Sequence, residues 1–330
     1  MQPLSDPVRT PPVELRGTLA DVGEFGLVAA LADRFAQSGA VLVGPGDDAA
    51  VVAIPGGQVV ASLDMLVEGR HFRRHWSTAT DIGHKAAAEN LSDINAMGGR
   101  TAALMVGLAA PSTLDVSWAL EFAEGLAAEA ASVGASVVGG DLTQADAITI
   151  SVSVLGSCEH GVVRRSGARP GDVIALAGRQ GWADAGMAVL GRGFRSPRIV
   201  VDAHRRPEPP YDAGPEAAAL GATAMIDVSD GLLQDLGHVA AASDVCIDID
   251  SGAFEIAEPL RAVGAALGVD PMRFVLTGGD DYCLVASFPT DVALPDTWRR
   301  IGRVHADDAA GTVTVDGSAY DDGGGHQHFR

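Results

Sequence analysis

Three polar side chains, Asp227, Ser229 and Asp230, stand where an apolar run gives way to a helix-like stretch in MIDVSDGLLQDLGH, residues 225–238. The start of a helix attracts anions, because its backbone N–H groups are unpaired and its dipole is positive there. Carboxylates at that position would repel a phosphate group. A magnesium ion removes the conflict, because Mg²⁺ takes oxygen ligands from carboxylates and from substrate phosphates together. The stretch therefore predicts a metal-assisted phosphate site.

Further acidic residues occur beside glycines or after strand-like runs. They are Asp47 and Asp48 in GDDAAVV, Asp64 in SLDMLVEG, Asp93 in ENLSDINAMGG and Asp141 in GGDLTQ. Each Gly-Asp turn taken alone is explained by ordinary turn chemistry, because both residues favour turns for local reasons. Several of these carboxylates follow apolar residues, however, which predicts that they collect at strand ends, where α/β folds bind ligands.

Asp93 differs from the others because it lies inside a predicted helix, with Asn90 one turn before it. An exposed helix face would explain it. Its apolar neighbours Leu91, Ile94 and Met97 leave little room for a wide solvated stripe, and a partly buried carboxylate needs a partner or a metal ion. Carboxylates for several Mg²⁺ ions, together with glycines that let backbone N–H groups approach phosphate oxygens, describe a phosphoryl-transfer site.

Composition and missing signatures exclude several classes of function. The formal charge of -20 argues against a nucleic-acid or anionic-membrane binder, because both need basic surfaces. No G-x-x-x-x-G-K-[ST] loop and no H-R-D or D-F-G kinase signature occurs, so another ATP-binding architecture is required. The widely spaced Cys158, Cys246 and Cys283 suggest neither a zinc site nor disulfides. With no apolar leader or membrane-length run, we expect a cytoplasmic protein.

Helical and strand-like patterns alternate along the chain and predict an α/β (α+β) fold with two sheet-and-helix domains. The turn-rich RSGARPGD, residues 165–172, marks the expected boundary. We therefore predict a flexible arm over 1–22 and domains over 23–164 and 165–330. In the second domain, FVLTGG (274–279) is expected to be a strand.

The chain resembles the thiamine-monophosphate kinase family of the superfamily that also contains aminoimidazole ribonucleotide synthetase. The resemblance extends from about residue 23 to the C-terminus. It rests on eight motifs in matching order, namely GEFGLV, GDDAAVV, SLDMLVEGRHF, KAAAENLSDINAMGG, GGDLTQ, RRSGARPGD, IDVSDGLLQDLGH and LTGGDDY. Each motif alone is modest evidence, but eight in order are highly specific.

This resemblance implies two α/β domains of the aminoimidazole ribonucleotide synthetase-like type, with the N-terminal sheets of two subunits meeting in a homodimer. It implies in-line transfer of the ATP γ-phosphate to thiamine monophosphate, assisted by several Mg²⁺ ions and without a protein base. The implied metal ligands are Asp48, Ser62, Asp64, Asp93, Asp141, Asp227 and Asp230. The implied ATP contacts are Gly140, Asp141, Arg165 and Ser229, and the implied substrate contacts are His71, Asp280 and Tyr320.

The sequence departs from the family pattern at two of these motifs. Leu63 replaces the threonine of a usual Ser-Thr-Asp, which removes one hydroxyl ligand and leaves water or Ser62 to complete a metal position. Asp280 replaces the glutamate of a usual Gly-Gly-Glu-Asp-Tyr and is shorter by one methylene. Both changes fall on predicted site residues.

Alternative readings remain open at this point. His71 could simply be a surface strand residue beside Arg70, Arg73, Arg74 and His75, or this basic cluster could attract a substrate phosphate. The chain could be a superfamily member with a different phosphate acceptor. It could also be a metal-dependent phosphatase, in which the same carboxylates activate water, or an acidic module that binds metal for structure alone.

Overall fold

The computed structural model describes residues 16–43, 50–306 and 310–320. In the first domain, the strands of the main sheet alternate apolar and polar side chains. The elements of this first domain are α1 (Leu19–Ala32), β1 (Val41–Val43), β2 (Val51–Val52), β3 (Val60–Val67), α2 (Ala79–Ala96), β4 (Arg100–Ala110), α3 (Val116–Ser132), β5 (Ser136–Gln144) and β6 (Thr149–Ser157). The main sheet has the order β3-β6-β4-β5, and only its β4–β5 pair is parallel.

One face of this sheet is covered and the other is open, as the alternation in the sequence predicts. On β6, Ile150, Val152 and Val154 are buried in the core with residues of α2 and α3. On the opposite face, Leu63, Met65 and Met105 are 55%, 50% and 42% exposed. The single chain therefore presents an open apolar sheet face, which we define by these three side chains.

Helix α2 connects the two domains. A capping box between Thr78 and Asp81 fixes its start, because each residue's side chain accepts a hydrogen bond from the other's backbone N–H. One side of the helix packs on the first sheet, and its later turns reach the second domain. Ser92 Oγ donates to Asp227 Oδ2 at 2.9 Å, and the Gly214 N–H donates to Asn95 Oδ1 at 2.9 Å.

A six-stranded mixed sheet with order β12-β9-β11-β7-β10-β8 forms the second domain. Its elements are β7 (Val173–Ala177), α4 (Trp182–Gly191), α5 (Arg198–Arg205), α6 (Ala213–Leu220), β8 (Ala224–Asp227), α7 (Leu232–Ser243), β9 (Cys246–Ile249), α8 (Glu258–Leu267), α9 (Pro271–Thr277), β10 (Leu284–Phe288), β11 (Trp298–His305) and β12 (Val313–Val315). Strand β8 ends at Asp227, so the predicted strand-to-helix junction is confirmed.

Two local predictions need correction. The stretch FVLTGG is not a strand, because most of it belongs to helix α9. Asp270 starts this helix by accepting a hydrogen bond from the Met272 N–H, and Pro271 occupies its first turn, where proline needs no N–H partner. The helical pattern EFGLVAALADRFA predicts a helix from about Gly23, but helix α1 begins at Leu19, and its backbone is interrupted at Gly23 with φ 72°. The exact domain boundaries stay predictions.

In the described part of the chain, no helix combines the length and the apolar character that crossing a bilayer requires.

Candidate active site

A cavity of about 890 Å³ lies between the two domains and carries both acidic and basic side chains. The first domain contributes residues from β3, from the loop after it and from α2. The second domain contributes residues from α4, from the junction after β8, from α9 and from the turn before β10. A polar cleft at a domain junction is a usual place for a substrate with phosphate groups.

One face of helix α2 forms much of the first-domain wall. Lys85, Glu89 and Asp93 follow one another at intervals of four residues, so all three point to the same side, and all three line the cavity. Asp64 reaches the cavity from β3, where its backbone N–H donates to Asn90 Oδ1 at 3.1 Å. Asn90 and Asp93, one helical turn apart, thus both bind strand β3. Asn90 accepts from the Asp64 N–H, and Asp93 accepts from the Ser62 hydroxyl.

The carboxylates of Asp64, Asp93 and Asp227 converge from the two domains. Burial raises the pKa of Asp64 to about 7, and the Asp93 and Asp227 carboxylates add to this effect. Burial also raises the pKa of Asp227 to about 7, with Asp93 again contributing and the hydrogen bond from Ser92 opposing. Asp64 and Asp227 are therefore costly to ionise until a positive charge arrives.

Two further carboxyl groups of the wall were missed by the sequence analysis. The pKa of Glu89 is held well above its usual value by burial and by Asp64, while Lys85 opposes the shift. Burial and the charge of Asp280 raise the pKa of Asp184 to about 6. Glu89 could have been found from its spacing, because it lies one turn from Asp93 on the same helical face.

The junction after β8 carries Asp227, Ser229 and Asp230 into the cavity, as predicted. Its backbone N–H groups already have a partner, however. Those of Ser229, Asp230 and Gly231 all donate to Asp235 Oδ2, at 3.0, 3.0 and 3.1 Å. The expected anion at this helix start is therefore the buried Asp235 carboxylate, and an incoming phosphate meets side chains rather than these amides.

The turn before β10 brings Asp280 into the cavity. Lys85 Nζ donates to Asp280 Oδ2 at 2.6 Å, which joins the two domains across the site. Gly279 is required at this turn, because a Cβ there would lie 2.0 Å from the Ser229 carbonyl oxygen. The turn and the β8 junction are thus packed backbone against backbone.

Ser62 and His71 lie on the first-domain side of the site. Ser62 is not in the cavity wall, but its Oγ donates to Asp93 Oδ2 at 2.5 Å. His71 does line the cavity, and its Nδ1 accepts a hydrogen bond from the Val67 N–H at 2.9 Å. That bond keeps Nδ1 unprotonated, so the ring proton is at Nε2.

Leu63 lies on the open apolar sheet face, away from Ser62 and Asp64, because successive residues of a strand point to opposite faces. The departure from the family pattern therefore changes the open face and not the side of β3 that carries the carboxylate.

Besides Ser62, four predicted site residues of the described ranges lie outside this cavity. Gly140 and Asp141 are exposed on the edge strand β5, and the glycine is explained by packing, because a Cβ at 140 would lie 1.9 Å from the Val106 carbonyl oxygen. Arg165 is exposed, although its charge lowers the pKa of Asp227. Tyr320 packs against the core of the second domain. Asp48 falls outside the described residues.

The carboxylate side chains of the cavity are the candidate ligands for a divalent cation. Within the described ranges, no group of three or more histidine, cysteine, aspartate or glutamate side chains is already placed to hold one ion. The chemistry of Asp64, Asp93 and Asp227 nevertheless fits Mg²⁺, because all three offer carboxylate oxygens. The charge of Asp93 raises the pKa of both Asp64 and Asp227, and a cation would reverse that effect.

Comparison with known proteins is consistent with this geometry. Residues 46–158 match the family model "AIR synthase related protein, N-terminal domain", and residues 169–311 match its C-terminal counterpart. A thiamine-monophosphate kinase of Mycobacterium tuberculosis is 44% identical over 314 residues, which are 94% of this chain and 93% of that protein.

Two solved structures are similar over most of their length. The thiamine-monophosphate kinase of Stenotrophomonas maltophilia K279a has a TM-score of 0.76 and 33% identity, over 86% of this chain and 93% of its own. AaThiL, solved in complex with AMPPCP and TMP, has a TM-score of 0.77 and 28% identity, over 98% of this chain and 100% of its own.

Proposed function

This chain belongs to the thiamine-monophosphate kinase family, and from that premise we propose that it transfers the γ-phosphate of ATP to thiamine monophosphate to give thiamine diphosphate. The observation that carries the proposal is the convergence of Asp64, Asp93 and Asp227 from two domains on one cavity. Carboxylates that are costly to ionise alone suit a reaction in which metal ions and phosphate charges meet. The complex of AaThiL with AMPPCP and TMP supports the same pair of substrates.

Several residues would hold magnesium in this proposal. They are Asp64, Asp93, Asp227 and Asp230 at the cavity, Ser62 behind Asp93, and the predicted ligands Asp48 and Asp141. When bound, Mg²⁺ would neutralise the charge that the phosphate groups bring together. Ser62 would hold the Asp93 carboxylate in place through its 2.5 Å hydrogen bond.

Cationic side chains of the wall would bind the phosphates. Arg70, Arg73, Arg192 and Arg273 line the cavity from both domains, although the chain as a whole is strongly acidic. Guanidinium groups suit phosphate oxygens because they offer two parallel N–H donors. His71, with its proton at Nε2, would donate a hydrogen bond to the substrate. No protein base is needed, because the acceptor phosphate oxygen is already anionic near neutral pH.

Gly140, Asp141 and Arg165 stay proposed contacts of ATP, and Tyr320 stays a proposed contact of thiamine monophosphate. None of these four residues lines the cavity of the single chain. The open apolar sheet face is an argument for a second copy, since exposed apolar patches of this kind mark association surfaces. We propose a homodimer through the sheet that carries β5, which would bring a partner close to residues 140 and 141. A cytoplasmic location completes the proposal, as ATP-dependent chemistry and three free cysteines suggest.

A ³¹P NMR time course tests the proposed reaction. The purified protein is mixed with ATP, Mg²⁺ and thiamine monophosphate, with controls that lack either substrate. We expect thiamine diphosphate and ADP to appear together and at equal rates. Phosphate release without ATP would indicate a phosphatase instead, and ATP consumption without thiamine diphosphate would indicate a different acceptor.

A further inference from the structure

Lys85 is the only lysine in the sequence, and the other 22 of its 23 lysine and arginine residues are arginines. A chain that uses arginine at every other cationic position has an exceptional requirement at this one. Arginine and lysine differ physically, because the ammonium group is compact and concentrates its charge, whereas the guanidinium group is broad and planar. The unusual residue also lies in the cavity wall between the domains.

The surroundings of Lys85 explain why a compact cation is needed. The residue lies within helix α2 and is only 5% exposed. Its ammonium group faces Asp280 at 2.6 Å, and its charge acts on Glu89 and on the imidazole of His204. His204 is 5% exposed, and burial, followed by the charge of Lys85, lowers its pKa to about 3. Lys85 is therefore the cation that balances Asp280 beside a neutral histidine.

The partner, Asp280, is held by the second domain through its backbone. Its N–H donates to the Ser229 carbonyl at 3.0 Å, and the N–H of Tyr282 donates to the Val228 carbonyl at 3.1 Å. Asp280 and Tyr282 both have left-handed backbone conformations, with φ of 65° and 51°. Such conformations are strained for residues other than glycine and persist where surrounding contacts fix them. The backbone is thus fixed, and the Asp280 side chain is oriented by Lys85 at Oδ2 and by the Tyr282 hydroxyl, which donates to Oδ1 at 3.5 Å.

We propose that Lys85 is a positioning residue that sets the orientation of the Asp280 carboxylate for binding thiamine monophosphate. The inference rests on the proposed function and adds a residue to it. Asp280 contacts the substrate, whose thiazolium ring is cationic, and Lys85 acts through Asp280 from the other domain. Because Lys85 lies on the same face of α2 as Asp93, the ion pair also ties the substrate-binding turn to the helix of the proposed metal site.

A Lys85→Met variant tests this role with a matched control. Methionine keeps the length of the side chain and removes its charge. The control is Arg100→Met, which removes one cation from another ion pair between the domains, with Asp212 at 2.8 Å, but at exposed positions outside the cavity. We expect Lys85→Met to raise the KM for thiamine monophosphate at least tenfold and to change the KM for ATP less than twofold. Arg100→Met should leave both values unchanged, since exposed ion pairs contribute little.

The uniqueness of Lys85 also allows a spectroscopic test that does not depend on the stability of that variant. Protein grown with lysine labelled at ¹³Cε should give a single side-chain signal. We expect thiamine monophosphate to shift this signal and a non-hydrolysable ATP analogue alone to leave it nearly unchanged. In Asp280→Asn, the signal of the ligand-free protein should move and its response to thiamine monophosphate should be lost.

Two results would overturn the inference alone. One is a folded Lys85→Met enzyme with an unchanged KM for thiamine monophosphate, in an assay where the unmodified protein is active. The other is an equal response of the lysine signal to thiamine monophosphate with and without the Asp280 carboxylate, because Lys85 would then contact the substrate directly. If the unmodified protein makes no thiamine diphosphate, the proposed function fails first and takes the substrate role of the pair with it.

Discussion

The two sides of the cavity use the same residue type in opposite ways. On the first-domain side, Asp64 and Asp93 face each other and Asp227. Two hydroxyl groups donate to this group, Ser62 Oγ to Asp93 at 2.5 Å and Ser92 Oγ to Asp227 at 2.9 Å. On the second-domain side, Asp235 accepts three backbone N–H bonds and closes the start of α7. The first arrangement gains from an added cation, and the second is complete without one.

Burial alone does not distinguish Asp64 from Asp235, because it raises the pKa of both. Burial raises the pKa of both Asp64 and Asp235 to about 7. For Asp64 the charges of Asp93 and Asp227 add to the shift. For Asp235 the charge of Asp230 adds to it as well, but three backbone hydrogen bonds oppose it. A raised pKa therefore does not by itself indicate a ligand site, because the hydrogen bonds that a carboxylate already accepts decide whether it gains from a cation.

The largest expected effect is the loss of activity in Asp93→Asn. This change removes a negative charge from the group that we propose to hold Mg²⁺, so kcat should fall by about a thousandfold or more, which corresponds to roughly 4 kcal/mol in the barrier. The melting temperature should stay the same or rise, because one source of repulsion is gone. Steady-state kinetics and thermal unfolding measure the two effects. Asp212→Asn, at a 90% exposed side chain, is the control, and a near-normal rate in Asp93→Asn would contradict the comparison.

Asp235→Ala should show the opposite pattern, with a large loss of folding stability and a smaller loss of kcat. Three backbone N–H groups lose their acceptor, and each buried donor left unpaired costs about 1–3 kcal/mol before water enters. We expect the free energy of unfolding to fall by about 2–4 kcal/mol in total, as measured by urea denaturation, with a smaller loss of kcat than in Asp93→Asn. Unchanged stability would show that the junction does not depend on Asp235.

The third prediction concerns pH and Mg²⁺. The pKa of Asp64 and of Asp227 is about 7 in the folded protein and near 3.9 in an unfolded chain, so the folded protein holds these protons more tightly. Stability contributed by these groups therefore falls as pH rises from about 4 to about 7, and it stays low above that range. Mg²⁺ should offset this loss. It should raise the melting temperature by several degrees at about pH 8 and by less than about one degree at pH 5.5.

The control for this effect is Asp235, whose pKa is also raised to about 7 but whose carboxylate already accepts three backbone N–H bonds. Asp64→Asn should remove most of the Mg²⁺-dependent rise at pH 8, whereas Asp235→Asn should retain it. Equal Mg²⁺ effects at both pH values would mean that the carboxylates of the first-domain wall do not bind the ion.

The smallest expected effect is on the Mg²⁺ requirement of variants at two adjacent residues of β3, Ser62 and Leu63. Ser62→Ala removes a hydrogen bond to Asp93, worth about 1 kcal/mol, so the Mg²⁺ concentration for half-maximal activity should rise about fivefold. Leu63→Thr restores a hydroxyl but on the opposite face of the strand, so the same value should change less than about twofold. Mg²⁺ titrations of both variants measure the difference. A large gain of Mg²⁺ affinity in Leu63→Thr would show that residue 63 takes part in metal binding.

The sequence was sufficient where a local pattern decides the structure. In AITISVSVLGS the alternation of Ile148, Ile150, Val152 and Val154 with polar residues predicts a half-buried strand, and β6 is one. The apolar run before Asp227 predicted a strand that ends at the site. It failed for residues 274–279, where the β-branched and aromatic side chains suggested a strand. The preceding Asp270 and Pro271 were the stronger signal, because a capped start and a first-turn proline favour a helix whatever follows.

Contacts between distant segments account for what the sequence could not supply. The motifs GGDLTQ and GGDDYC look alike, yet Asp141 lies exposed on an edge strand and Asp280 lies in the cavity. Their surroundings differ because a different part of the fold packs against each turn. Asp235 was overlooked for a related reason. From the sequence, a carboxylate in the first turn of a helix is expected at the surface, but in the structure the backbone of residues 229–231 packs against it.

The burial of the single lysine has a consequence for proteolysis. A protease that cleaves only after lysine has one possible cutting site in this chain, and that site lies within helix α2 beneath the second domain. The peptide bond can enter a protease only after the helix has unfolded locally, so the cleavage rate reports the opening of the domain junction itself. Substrates that bridge the cavity should therefore protect the whole polypeptide from this enzyme, and the degree of protection would give the free energy by which they hold the two domains together.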